Sequence, residues 1–233
     1  MEDILRPGLR ALGIHPPEGA VEALRRYGER LLEKNAVVNL TAIREPEGVA
    51  RLHLLDSAAL LTLADFRDRR VVDVGCGAGF PGVPLKLLCP SLALTAVDSV
   101  GKKLDFIRET CAELGVSVEC VWGRAEELSD RRERYDRAVS RAVAELGLLA
   151  ELCLPLVEVG GLFIAMKNPD CGEEVKNAEF AVKALGGRVR DVVRYTVPDT
   201  DVTHAAVLIE KVKPTPPQYP RRYAQIKKRP LRG

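Results

Sequence analysis

The chain has 233 residues, 46% of them hydrophobic and 29% charged, with a formal net charge of +2; this is enough apolar material for one good core, or a core plus a small accessory layer, and it excludes disorder as the default. The opening MEDILRPGLR has acids where a signal peptide needs a basic region, and no apolar run approaches the roughly 18 residues of a membrane span, so a soluble cytoplasmic protein is expected. Six cysteines form no Cys-x-x-Cys pair and three histidines stand apart, spacing that excludes a zinc site or a disulfide framework and predicts reduced thiols and no metal.

Residues 20–34, AVEALRRYGERLLEK, place Val21, Leu24, Tyr27, Leu31 and Leu32 at helical spacing with charges on the other face. A second helix is predicted over 47–64, after Pro46, with the polar loop NLTAIREP between the two. Residues 1–65 therefore read as a small helical cap. From 66 to 212 the pattern alternates. RRVVDVG, LALTAVDS, VSVECVWG, YDRAVSRA and GGLFIAMK read as strands, with helices PGVPLKLLCP, GKKLDFIRETCAELG and VAELGLLAELCLPLV among them. Alternation at these lengths requires a mainly parallel sheet covered on both faces. RVRDVVRYTVP and HAAVLIEKV are joined by a short polar turn with no room for a helix, which predicts an antiparallel hairpin. The expected fold class is α/β, a mainly parallel seven-stranded sheet ending in that hairpin. Residues 213–233 form a basic tail. From Lys211 onward there are eight Lys or Arg and no acid, leaving 27 bases against 33 acids in the preceding 210 residues. With Tyr219 and Tyr223 between the bases and prolines that disfavour helix, the tail suits RNA, or is a solvated arm.

The stretch RRVVDVGCGAGFPGVP carries the chemistry. Gly77, Gly79 and Gly82 satisfy G-x-G-x-x-G, and Asp98 follows Gly77 by 21 residues, as an NAD-dependent oxidoreductase would require. Two details oppose a dinucleotide. Counted from Gly75 at the strand end, the third glycine position holds Phe80, and Asp73 beside the loop would repel a pyrophosphate. S-adenosylmethionine has no phosphate and carries a sulfonium and an ammonium group. In the pattern Asp73-x-Gly75-x-Gly77-x-Gly79 the glycines admit the ligand to the backbone and the carboxylate balances its amino acid end, unless Asp73 merely caps the next helix. Asp98, at the next strand's end, is placed for the ribose hydroxyls, and Ala125 and Glu126 of GRAEEL could line the adenine.

These residues, with NLTAI, HLLDS, DVGCGAGFPGVPL, DSVGKKLDFI, SRAVAEL, GGLFIAMK and YPRR, resemble the bacterial small-subunit rRNA (guanine-N7)-methyltransferases, the glucose-inhibited division protein B (GidB) family. The resemblance spans nearly the whole chain. It implies a Rossmann-like class I methyltransferase fold, S-adenosylmethionine as cofactor, and methylation at N7 of one guanosine of 16S rRNA, guanine 527 in the conventional numbering, in the small ribosomal subunit. It further implies cofactor contacts at Gly75, Phe80, Ala125, Glu126 and Arg141. The chain departs from the family pattern at Lys34, where many relatives have tryptophan, at Leu52, where they have a base, and at Cys76, where they have serine or threonine.

Guanine N7 offers an in-plane lone pair and loses no proton on methylation, so alignment rather than a general base is expected to drive the reaction. N7 must stay free, so Arg141 or Lys167 should contact O6, phosphate or cofactor. Asn39, His53, Lys102, Lys103, Lys167, Arg221 and Arg222 are candidates for holding a base drawn out of an RNA loop. Asn39 could equally cap the helix-loop junction, and His53 could be a satisfied core residue. A ribosome-assembly module that binds rRNA without turnover is the alternative reading.

Overall fold

In the computed structural model, which describes residues 1–141 and 144–232, every strand-like run joins one sheet. The strands are β1 (Arg70–Val74), β2 (Ala93–Asp98), β3 (Glu119–Trp122), β4 (Tyr135–Arg141), β5 (Val157–Lys167), β6 (Gly187–Thr196) and β7 (Thr203–Lys211), in the order β3-β2-β1-β4-β5-β7-β6. The first five are parallel, and β7 runs antiparallel between β5 and β6. The common dinucleotide-binding sheet instead has the order 3-2-1-4-5-6. Inserting β7 makes this a different fold, and the oxidoreductase reading loses its architectural support.

The helices are α1 (Glu2–Ala11), α2 (Ala20–Val38), α3 (Pro46–Val49), α4 (Asp56–Ala58), α5 (Gly82–Leu88), α6 (Gly101–Glu113), α7 (Leu146–Cys153), α8 (Gly172–Ala184) and α9 (Tyr223–Lys228). Side chains alternate across a strand, so β1 feeds two cores. Val71 joins the core that holds the buried leucines of α1, α2, α5 and α6, whereas Val72 and Val74 join the one built with α7, α8 and Ile226 of α9.

Several elements differ from expectation. The helix expected over 47–64 is not uniform: between α3 and α4 lies a π-helical turn, Ala50–Leu55, and Ala59–Thr62 is a 3₁₀ turn. Helices α1, α8 and α9 have no counterpart in the predicted set, the last lying in the tail, whose prolines are expected to disfavour helix. Of the expected YDRAVSRA strand and the helix opening at 143, residues 142 and 143 lie outside the described residues.

The basic tail is docked rather than free. Its α9 buries Ile226 completely. Arg221 donates to both oxygens of Glu151 on α7, at 2.8 and 2.6 Å, and the Arg221 backbone N–H adds a third bond at 2.9 Å. Lys211, counted from sequence among the tail's cations, is wholly buried and donates to Glu133 and to the carbonyls of Leu154 and Val157. Its charge serves the fold.

Arg221→Ala strands the Glu151 carboxylate, whose side chain is 1% exposed. Removing one partner of a buried pair typically costs about 3 kcal/mol or more. Urea denaturation of this variant is expected to show that loss, with limited proteolysis cutting first between β7 and α9.

Candidate active site

The glycine loop after β1 is held from three directions. Asp98, at the end of β2, accepts the N–H groups of Gly77 and Val100, each at 2.9 Å. Asp73, wholly buried in β1, accepts the Gly82 N–H at 2.8 Å and so caps α5. From the N-terminal layer, Tyr27 donates its hydroxyl to the Ala78 carbonyl at 2.8 Å. Gly79 has φ of +87°, and a Cβ there would lie 2.4 Å from the Tyr27 oxygen. The tyrosine thus occupies the space that any larger residue at 79 would need.

These anchors leave a cleft of about 550 Å³ above the sheet edge, lined by Gly75, Gly77, Asp98, Lys103, Ala125, Glu126 and Arg141 among others. Gly77 borders open space, since a Cβ there would meet nothing within 4 Å. Burial pushes Glu126 above the usual carboxylate range. Asp73 keeps its second oxygen, Oδ1, buried without a partner among the described residues. Burial raises its pKa to about 7 despite the Gly82 N–H, which opposes the rise. The tail contributes Tyr223 to the cleft wall, with the Arg124 guanidinium 5.2 Å from its ring centre.

A second cavity, about 640 Å³, meets the first at Arg141, which lines both. The π turn and the first residue of α4 face Arg141 with three groups from one stretch of chain: Arg141 donates to the Leu52 carbonyl at 3.1 Å, to Asp56 Oδ2 at 3.2 Å and to His53 Nδ1 at 2.9 Å. Its guanidinium also stands 5.2 Å from the centre of the Phe80 ring, on which His53 stacks at 4.5 Å. Arg141 has no acceptor, so His53 Nδ1 takes the bond as a lone pair, and the ring proton sits on Nε2, bonded to Thr41 Oγ1 at 2.7 Å. Burial, then the Arg141 charge, hold His53 down to about 4. Both ring nitrogens of His53 are thus taken up within the fold, while the ring lines the second cavity.

Asp56 is the centre of this network. Its side chain is 1% exposed. Besides Arg141 it accepts Tyr195 Oη at 2.9 Å and His204 Nδ1 at 2.8 Å, both on Oδ1. The bond to Asp56 raises the pKa of His204. Across the cavity, Lys167 donates to the Ala144 carbonyl and to Glu174 Oε1, each at 2.5 Å.

The structure therefore gathers Gly75, Gly77, Asp98, Ala125, Glu126 and Arg141 around one cleft and puts Phe80 beneath Arg141. Lys103, expected on RNA, lies 3.6 Å from Asp98 in the cleft. Lys167 and Arg221 are held by Glu174 and Glu151. Only Lys102 and Arg222 among the charged RNA candidates are exposed side chains without an ion pair among the described residues. Asn39 is the left-handed cap of α2, with φ of 42°, but the loop that follows is organised by Asn35, which donates to the Thr41 carbonyl and accepts from Leu40 and Thr41 N–H. At the departures from the family pattern, Lys34 pairs with Glu109 at 3.1 Å, Leu52 contributes its carbonyl, and Cys76 is buried. Asp56 was visible within HLLDS, but His204 and Asn35 carried no signal in one sequence.

A family model described as GidB, rRNA small subunit methyltransferase G, matches residues 20–202. The chain belongs to the GidB family. Its curated relatives include the ribosomal RNA small subunit methyltransferase G of Alkaliphilus metalliredigens, 44% identical over 234 residues that span 98% of each chain. Among solved structures it is similar in fold to a SAM-dependent O-methyltransferase from Thermotoga maritima, with a TM-score of 0.55 and 16% identity over 80% of this chain and 72% of that one. The M. jannaschii TYW2 structure in complex with AdoMet gives a TM-score of 0.55 at 12% identity, over 67% of this chain and 75% of the other. Among the described residues of this GidB member no helix is long and apolar enough to cross a membrane, and no group of three or more His, Cys, Asp or Glu could hold a metal.

His53 and His204 should titrate on opposite sides of the ordinary 6.5, His53 near 4 and His204 above. The folded state binds fewer protons at His53 than the unfolded chain does. Its contribution to stability is full above pH 6.5 and is lost as pH falls toward 4; the His204 contribution has the opposite sign and is lost as pH rises through its folded value. Histidine ring NMR across that range is expected to resolve both midpoints.

Proposed function

We propose that the chain transfers a methyl group from S-adenosylmethionine to N7 of one guanosine of 16S rRNA, guanine 527 in the conventional numbering. The observation that carries this reading is the pair of cavities meeting at Arg141, within a member of the GidB family: one suits a cationic nucleoside, the other a base.

The cleft fits the cofactor. Glycine backbone opens it on one side, Asp98 and Glu126 supply carboxylates, and Asp73 leaves a buried oxygen unpartnered beside the loop. Gly75, Gly77 and Gly79 shape the loop, Asp98 serves the ribose, and Ala125 and Glu126 serve the adenine. Each Asp98 oxygen already accepts one N–H and retains a further lone pair for a ribose hydroxyl. S-adenosylmethionine supplies an electrophilic methyl carbon on a cationic sulfur.

Arg141 is a positioning residue. Its contacts with Leu52, His53, Asp56 and Phe80 fix it between the cavities, and alignment can be worth about 7–11 kcal/mol. No proton has to leave N7, so no general base is required there. Exposed Lys102 and Arg222 hold the RNA, while His53, Lys103 and Lys167 shape the site from within and Arg221 fastens the C-terminal segment to Glu151. Asn39 ends α2 in the left-handed conformation, and Asn35 holds the loop that follows.

Incubation with labelled S-adenosylmethionine and small subunits that lack the modification is expected to yield 7-methylguanosine at one position. Asp98→Ala should weaken cofactor binding at least about tenfold by freeing two loop N–H groups. Label on another atom, or cofactor binding with no labelled RNA, would refute the reading; the latter outcome favours an assembly role.

A further inference from the structure

The second cavity contains one ring nitrogen that the fold does not use. His53 spends both nitrogens, on Arg141 and Thr41. Lys167 is bonded to Ala144 and Glu174. His204 lines the same cavity with its Nδ1 on Asp56 and no partner for Nε2 among the described residues. We propose that His204 is a catalytic and specificity-determining residue, its Nε2 lone pair accepting the N1–H of the guanine being methylated. This role rests on the guanine-N7 reading above.

The tautomer follows from the partners. The Asp56 carboxylate requires a donor at His204 Nδ1, so the neutral ring presents a lone pair at Nε2. Tyr195 donates to the same Asp56 oxygen, and Arg141 to the other. Asp56 is thereby fixed, and with it the direction of the His204 ring.

The chemistry of the base gives this lone pair its use. The N7 lone pair forms the new bond to the methyl carbon, the carbon–sulfur bond breaks with its electron pair left on sulfur, and the positive charge passes to the guanine ring. That charge makes N1–H a stronger donor. An acceptor at N1–H therefore binds the transition state more tightly than the ground state, which is the condition for raising the rate of the chemical step. No proton needs to leave the base. The contact also discriminates, because adenine presents a lone pair at N1 where guanine presents a donor, and two facing lone pairs repel. Arg141 lines the same cavity at its junction with the cofactor cleft.

Titratable and charged groups face His204 from several elements, and of these Asp56 and Arg141 set its protonation. Asp56 lies beneath it on α4, Tyr195 beside it on β6, Arg141 on β4 and His53 on the π turn, with Lys167 of β5 and Glu174 of α8 across the cavity. The bond to Asp56 outweighs burial and the Arg141 charge, so the pKa rises. The free lone pair thus becomes available only as pH climbs above the ordinary imidazole value.

The test compares the wild type with His204→Asn and His204→Ala. Asparagine keeps an N–H for Asp56 while removing Nε2. Single-turnover methyl transfer to unmodified small subunits is followed through the histidine range, with cofactor affinity and thermal melting measured in parallel. Histidine ¹⁵N NMR reads the tautomer without turnover. The wild-type rate is expected to rise with pH through a midpoint above 6.5. His204→Asn should lower the plateau about 10²- to 10³-fold and flatten the rise, with cofactor affinity and melting unchanged. The neutral ring should carry its proton on Nδ1. A proton on Nε2, an asparagine variant as fast as wild type, or a pH rise that survives the substitution overturns the role. Absence of any transfer by the wild type instead overturns the methyltransferase reading, and this role with it.

Discussion

One buried carboxylate organises the catalytic half of this molecule. Asp56 stands almost free of solvent and accepts from three donors that arrive on three strands, Arg141 from β4, Tyr195 from β6 and His204 from β7. A buried ion is tolerated only when its lone pairs are satisfied, and removing one partner of such a set costs far more than the set contributes as a whole. Asp56 therefore locks the N-terminal layer onto the sheet at one geometry. The π turn preceding it belongs to the same constraint, because it brings the Leu52 carbonyl and His53 to Arg141 alongside Asp56. Such turns within helices are frequent at functional sites.

The glycine loop obeys a second constraint of the same kind. Asp73 and Asp98 hold it from the sheet, and Tyr27 holds it from α2. What reads in sequence as a separate helical cap thus fixes the glycine loop that borders the cleft. Tyr27 reaches Ala78 across 51 residues of chain, and Arg141 reaches Asp56 across 85. The C-terminal segment does the equivalent on the other side, where Tyr223 enters the cleft wall while Arg221 fastens the segment to Glu151.

What was legible in sequence was whatever depends on near neighbours. The alternation of β1, α5, β2 and α6 follows from period and turn residues, and Asp98 from its place after a strand. The antiparallel hairpin of β6 and β7 was legible from the shortness of its turn. The π turn was not, since apolar spacing over 47–64 is compatible with a plain helix. Helix α1 carries Pro7 and Gly8, which mask its periodicity, and α9 begins just after prolines that argue against a helix. The fates of Lys103, Lys167 and Arg221 were hidden for another reason. A lysine or arginine in sequence reads as available charge, and only the fold shows Asp98, Glu174 and Glu151 waiting for each of them. His204 is 148 residues from its partner, and nothing local distinguishes it from an ordinary strand histidine.

The placement of charge around Arg141 gives the proposed reaction its direction. Methyl transfer to N7 moves one positive charge from the cofactor side to the base side without adding or removing a proton. A site with anions on the cofactor side alone would resist that movement. Here Asp98 and Glu126 face one cavity, and Asp56 and Glu174 face the other, with Arg141 at the junction. Two of the base-side cations, Lys167 and Arg141, are neutralised by ion pairs with Glu174 and Asp56. The charge arriving on the guanine thus meets compensated cations and a histidine ring backed by the Asp56 carboxylate. Preorganised dipoles of that kind need no rearrangement as the charge develops, which is why such sites outperform water.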